Sequence, residues 1–263
     1  MPLRRKLNPP PVVPQSPPAG GAGGDGGRSR SRLPSAAMDW ETLLRRLERK
    51  RRLLERTGGG VRPPDEYYFR ATYASFRLEG LDVSEVEVRE SLARGGHNGA
   101  GGGGERPAML RSRQGQRIRN HAAILRRIET DLRDGLALTS EAVVRWYTGI
   151  AAGLSIAGLD RASMRRLDEM VRRLNSPQMR TGPAVREIAG TYARLLSDPL
   201  VPGFNGILSR LLLRYHMGRC KLPPVVFDAG LDGSLRSGEA MVRRLAELLE
   251  VSYDELLGRR RQA

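Results

Sequence analysis

The chain has 263 residues and carries 45 Lys+Arg against 29 Asp+Glu, a formal net charge of +16. Hydrophobic residues make up 39% and aromatic residues 5%; the length suffices for one large domain or two small ones, but this low apolar share leaves part of the chain outside any core. A single cysteine, Cys220, excludes a disulfide framework and a cysteine-built zinc site, no apolar run approaches a membrane span, and the N-terminus lacks the apolar stretch of a secretory signal, so a cytoplasmic protein is expected.

Residues 1–34 are rich in Pro and Gly, with Arg4, Arg5, Lys6, Arg28, Arg30 and Arg32 against Asp25 alone. Such a segment buries too little apolar surface to offset its ordering entropy, so a disordered basic tail is expected. Helices follow over 35–94. Leu43, Leu44, Leu47, Leu53 and Leu54 fall near helical spacing between Trp40 and Arg56, with Asp39 as the expected N-cap. Pro63-Pro64 opens a helix through Tyr67, Phe69, Tyr73, Phe76 and Leu78 to Glu79, and Gly80 stops it. The aromatics of this helix read as core packing rather than a ligand box. Ser84 and Glu87 form a capping box for a short third helix. A Gly-rich loop spans 95–106; seven of the ten residues from Gly95 to Gly104 are glycine.

The remainder, 107–263, is again helical. Ile118, Ala122, Leu125, Ile128 and Leu132 mark a long amphipathic helix that ends near Gly135. Thr139 caps a helix through Val143, Val144, Trp146 and Ile150. Further helices are expected over 161–174, 184–196, 205–217 and 238–250, with Ser252 capping a last turn. Only 224–227 suggests an extended segment. The class is all-α, with short loops between packed helices. All but three of the basic residues are arginine, the exceptions being Lys6, Lys50 and Lys221. A bias that places Arg on solvated helix faces is the simpler reading. A nucleic acid reached through the basic tail is the alternative, because Arg pairs with phosphate bidentately.

The stretch from Ser197 to Met217 carries the most chemistry. A loop with Pro199, Pro202 and Gly203 opens into an amphipathic helix at Asn205-Gly206. Backbone N–H groups converge at such a junction and the helix dipole adds positive potential, which makes an anion site. Arg210, one turn in, reaches the same anion. Upstream, Ser75 and Glu79 lie four residues apart on one helix face, followed by Gly80.

Together these segments resemble the Fic family, whose helical Fido fold transfers AMP from ATP to protein hydroxyls. Ser75, Glu79 and Gly80 match the family's inhibitory motif, Ser/Thr-x-x-x-Glu-Gly/Asn, in full. Asn205, Gly206 and Arg210 match the Asn, second Gly and final Arg of its core motif, His-x-Phe-x-Asp/Glu-Gly-Asn-Gly-Arg-x-x-Arg. The resemblance covers roughly residues 65–250, and includes Leu211-Leu212-Leu213 and Leu222-Pro223-Pro224-Val225-Val226. It implies that Asn205, Gly206 and Arg210 hold nucleotide phosphates, that ATP with magnesium is the ligand, and that Glu79 bonds Arg210 and blocks the site.

The sequence also departs from that pattern. Counted back from Arg210, the motif His falls at Pro199, the acidic metal ligand at Gly203, the first Gly at Phe204 and the first Arg at Ile207. None of His97, His121 and His216 can take the His position; His216 reads as a packed or half-exposed helix residue. With one residue inserted, Asp198 becomes the nearest substitute, but a carboxylate is a weak base at neutral pH. Losing a positioned base typically costs about 10²–10⁴ in rate. Without the acid, Mg²⁺ lacks its protein ligand. The segment 153–160 is short where the family carries a target-positioning flap. The resemblance therefore implies a degenerate member without efficient AMP transfer, acting by binding a protein partner or a nucleotide. A residual transferase auto-inhibited by Glu79 is the second expectation.

Overall fold

Leu211, Leu212 and Leu213 are consecutive, and their exposures are 1%, 0% and 1%. A helix can bury three neighbours in a row only when other helices surround it on every side. The computed structural model describes residues 39–57, 63–93, 113–151, 160–176, 180–234 and 237–260. The basic tail, the Gly-rich loop with His97, and most of 153–160 lie outside the described residues. Ten helices are described and no strand: α1 (Trp40–Arg56), α2 (Asp65–Leu78), α3 (Glu85–Ala93), α4 (Arg113–Arg133), α5 (Ser140–Ile150), α6 (Arg161–Leu174), α7 (Thr181–Ser197), α8 (Asn205–Arg219), α9 (Ala229–Gly233) and α10 (Gly238–Arg260). No described helix is long and apolar enough to cross a membrane.

The central helix is α8. It packs against α2, α4, α6 and α7, while α10 closes the bundle against α1 and α7. Several of the polar side chains that α8 buries are matched by partners from other elements or from its own turn. Arg214, 2% exposed, is bound bidentately by Glu129 of α4 at 2.7 and 2.7 Å. Tyr215 O–H donates to Asn175 Oδ1 at 2.8 Å and accepts the Leu138 N–H at 2.9 Å. Ser209 O–H returns to the Asn205 carbonyl at 2.7 Å.

Several local expectations change in the folded chain. Asp39 precedes α1, but its carboxylate accepts no backbone N–H and instead meets the Thr42 hydroxyl at 3.4 Å. The helix expected over 184–196 begins earlier, at Thr181, because Pro183 stands in its first turn, where an N–H has no intrahelical partner to lose. Ser252 caps nothing: α10 runs through it, and its hydroxyl donates to the Pro224 carbonyl at 2.5 Å. Residues 224–227 form no ladder. The boxes at Ser84–Glu87 and Thr139 form as expected, with Glu87 N–H to Ser84 Oγ at 3.2 Å and Ala142 N–H to Thr139 Oγ1 at 3.2 Å.

Two histidines are sealed inside. His121 of α4 is 1% exposed, and its Nδ1 pairs with the Thr72 hydroxyl at 3.0 Å. His216 of α8 is 0% exposed, not half-exposed, and neither ring nitrogen has a hydrogen-bond partner among the described residues. Burial lowers the pKa of His121 to about 3, with the Arg210 charge adding to the effect, and that of His216 to about 4. Both are neutral in the fold but protonate near 6.5 when unfolded. Their contribution is therefore complete above that value and is lost as pH falls toward the folded pKa. Urea melts between pH 6.5 and 5 are expected to lose about 1.4 kcal/mol per pH unit for each histidine. His216→Leu is expected to remove its share of that slope without lowering stability at pH 7, because no hydrogen bond is lost.

Candidate functional site

The site begins where α2 stops. Gly80 adopts φ 77, a left-handed conformation that costs glycine little. Leu81 N–H bonds the Phe76 carbonyl and Gly80 N–H bonds the Arg77 carbonyl, each at 3.0 Å. This crossed pair terminates the helix with Glu79 as its C-cap. The Glu79 side chain reaches across to the N-terminus of α8.

The other half of the site is the loop between α7 and α8. Asn205 braces it: Oδ1 accepts the Leu200 N–H at 3.0 Å, and Nδ2 donates to the Leu195 carbonyl at 2.6 Å. Tyr147 O–H donates to the Pro202 carbonyl at 2.5 Å. Gly203 (φ 67) and Phe204 (φ 52) then turn the chain into α8. A left-handed conformation at a bulky residue is strained. The Phe204 ring is held by packing on the core and by the Arg117 guanidinium of α4, 4.9 Å from its centre.

At the junction expected to receive an anion, the chain places its own carboxylate. Glu79 Oε2 accepts the Ile207 N–H at 3.0 Å and an Arg210 Nη2 hydrogen at 3.1 Å. Helix dipole and guanidinium thus converge on one oxygen. Arg210 is 2% exposed at its side chain and Glu79 18%, so the cation is buried and the carboxylate half-buried. Arg210 Nη2 also donates to the Ser75 carbonyl at 2.8 Å. That contact uses the backbone of Ser75. A Cβ at Gly206 would overlap Glu79 Oε2 and crowd the Arg210 guanidinium, so the glycine here gives the carboxylate room.

Two other members of the cluster carry no signal in the sequence. Arg210 Nη1 lies 3.4 Å from Asp232 Oδ2 of α9, and Tyr192 O–H of α7 donates to Asp232 Oδ1 at 2.6 Å. Burial pushes the Tyr192 hydroxyl well above its ordinary pKa. No spacing rule links Asp232 to Arg210, since the contact is made only when α9 folds back. Arg117 is a third residue that spacing does not single out. It is half-buried, and burial with the neighbouring Arg113 charge pulls its pKa down.

The remaining candidates do not join the cluster. The Asp198 carboxylate is bound by Arg166 of α6 at 2.7 Å, in a pair whose side chains are 43% and 68% exposed. Ile207, at the position of the motif's first Arg, is 0% exposed.

The architecture has solved counterparts. Fic-1 from C. elegans superposes with a TM-score of 0.59 at 18% identity, over 84% of this chain and 73% of that one. A Glu-to-Gly variant of Fic-1 gives 0.62 at 19%, over 83% and 72%. A Fic domain containing signaling protein from Bacteroides thetaiotaomicron gives 0.57 at 16%, over 80% and 95%. No family model and no curated protein matches the chain in sequence. The chain has the Fic, or Fido, fold.

Two substitutions probe the closed site. Arg210→Met leaves the Glu79 and Asp232 carboxylates without their cation and is expected to cost about 3–5 kcal/mol in a denaturant melt. Gly206→Ala pushes the Glu79 carboxylate off the helix end. It is expected to destabilise the protein despite the roughly 1 kcal/mol by which Ala favours a helix over Gly.

Proposed function

We propose that this is a Fic-like protein that binds rather than transfers: its phosphate site is closed by its own Glu79, and it works by holding a nucleotide or a protein partner, without efficient AMP transfer. One observation carries the reading. The Glu79 carboxylate takes the Ile207 N–H and the Arg210 guanidinium, the two donors an incoming phosphate would use.

The residues present fit a phosphate better than they fit a metal–nucleotide complex. Phosphate donors remain in the Ile207 N–H and Arg210, with Gly206 leaving space and Asn205 bracing the loop. The donor set for Mg²⁺ is absent from the loop: Gly203 stands at the acid position, and Asp198 is engaged by Arg166. The described residues contain no cluster of three or more metal-ligating side chains. The loop therefore does not fit the metal. With Pro199 at the base position, no described imidazole is available to deprotonate a hydroxyl; His121 and His216 are both buried away from solvent. With ATP as the candidate ligand, the cytoplasm is the setting for this reading. The nucleic-acid alternative rests on the basic tail, which lies outside the described residues, and on the Arg-rich helices as an electrostatic surface, and it predicts affinity that falls steeply with salt.

Titration calorimetry of ATP into the wild type and Glu79→Gly tests it. The wild type is expected to be silent and the variant to bind. Added Mg²⁺ is expected not to tighten binding, because no carboxylate of the loop is there to hold it. Neither form is expected to label a protein with AMP. AMP transfer that disappears in Asp198→Asn would overturn the reading, and silence toward ATP in both forms would remove the nucleotide from it.

A further inference from the structure

Arg210 is held along two edges, by groups that differ in kind. Its Nη2 meets the Ser75 carbonyl at 2.8 Å and Glu79 Oε2 at 3.1 Å. Glu79 also takes the Ile207 N–H, so it stands where an anion would stand. Its donors would pass to any anion that displaced it. Nη1 faces Asp232 Oδ2 at 3.4 Å and the Tyr192 hydroxyl oxygen at 3.5 Å, and Tyr192 O–H fixes the other oxygen of that carboxylate at 2.6 Å. The Asp232 helix is itself tied down. Asp228 caps it through the Leu231 N–H at 2.9 Å and pairs with Arg244 of α10.

We propose that Asp232, oriented by Tyr192, is a positioning residue for anion binding. It keeps the Arg210 guanidinium in place when the Glu79 carboxylate leaves, so that Nη2 and the Ile207 N–H remain aimed at one point. This rests on the reading of the site as a phosphate site closed by Glu79. An arginine released from all its carboxylates regains rotamer freedom, and an incoming anion must then order it again. Held by Asp232, the guanidinium is already placed.

Charge alone predicts the opposite effect. Asp232 is a negative group beside the cation that receives the anion, so its neutralisation should tighten anion binding. The positioning role predicts weaker binding, and the sign separates the two.

The experiment is calorimetric titration of ATP into the full chain carrying Glu79→Gln, alone and combined with Asp232→Asn or Tyr192→Phe. Asp232→Asn is expected to weaken binding about tenfold. Tyr192→Phe, which changes no charge, is expected to weaken it by a smaller factor. Unchanged or tighter binding in Asp232→Asn overturns the proposal. Thermal melts of the wild type, both single variants and the double variant add a readout without ligand. If Asp232 holds Arg210, Asp232→Asn lowers Tm more in the Glu79→Gln background than in the wild type, because the guanidinium then loses its second carboxylate. Equal shifts in the two backgrounds overturn the proposal. Silence toward ATP in every variant, with unequal melts, supports the hold on Arg210 and overturns the nucleotide reading alone. Should the double variant not fold, Tyr192→Phe in the Glu79→Gln background carries the same comparison.

Discussion

A guanidinium that is 2% exposed cannot stand alone in a protein interior. An uncompensated charge at that depth costs several kcal/mol. Around it the fold gathers the Ser75 carbonyl, the Glu79 carboxylate and the Asp232 carboxylate with its Tyr192 partner. These groups come from α2 with its C-cap, α7 and α9, and Arg210 from α8. The site is therefore also a joint between helices, and whatever displaces Glu79 must supply a negative group in its place.

The same constraint recurs along α8. Arg214, one turn beyond Arg210, is matched by Glu129 from α4, and Tyr215 ties the helix to the segment at Leu138. Buried ion pairs add little stability compared with apolar residues of the same size, but breaking one is expensive. They fix which helices meet and in what register. A helix surrounded on all sides has no polar face to set its rotation, and these pairs supply that information here. His216 is the exception, buried with no hydrogen-bond partner among the described residues.

The chemistry of the site is uneven for a physical reason. In the proposed reading, an anion site needs only backbone N–H groups, a glycine that allows close approach and one cation, the groups present at Gly206, Ile207 and Arg210. Group transfer needs in addition a base and a charge-neutralising metal ligand, and those positions hold Pro199 and Gly203. Phe204 keeps the left-handed backbone that a glycine would provide there, and packing with Arg117 offsets the strain.

The sequence alone determined what depends on local periodicity and on motif spacing. The extents of helices α1 and α6 were legible, because their apolar stripes lie within a few turns. The stop at Gly80 was legible for the same reason, and the resemblance carried by Ser75, Glu79 and Arg210 pointed to the meeting of Glu79 with Arg210. Other features were decided by tertiary structure. Ser252 looks like a cap in isolation, yet the Pro224 carbonyl gives its hydroxyl a partner and α10 continues through it. Asp39 looks like a cap and is not one. Asp198 is paired with Arg166 of α6, a partner that its place in the loop did not indicate. The burial of Arg210, and its second carboxylate at Asp232, depend on helices that meet only when the chain folds. Spacing along a sequence reports neighbours within a turn or two, whereas the partner of a buried charge is chosen by the packing of whole helices.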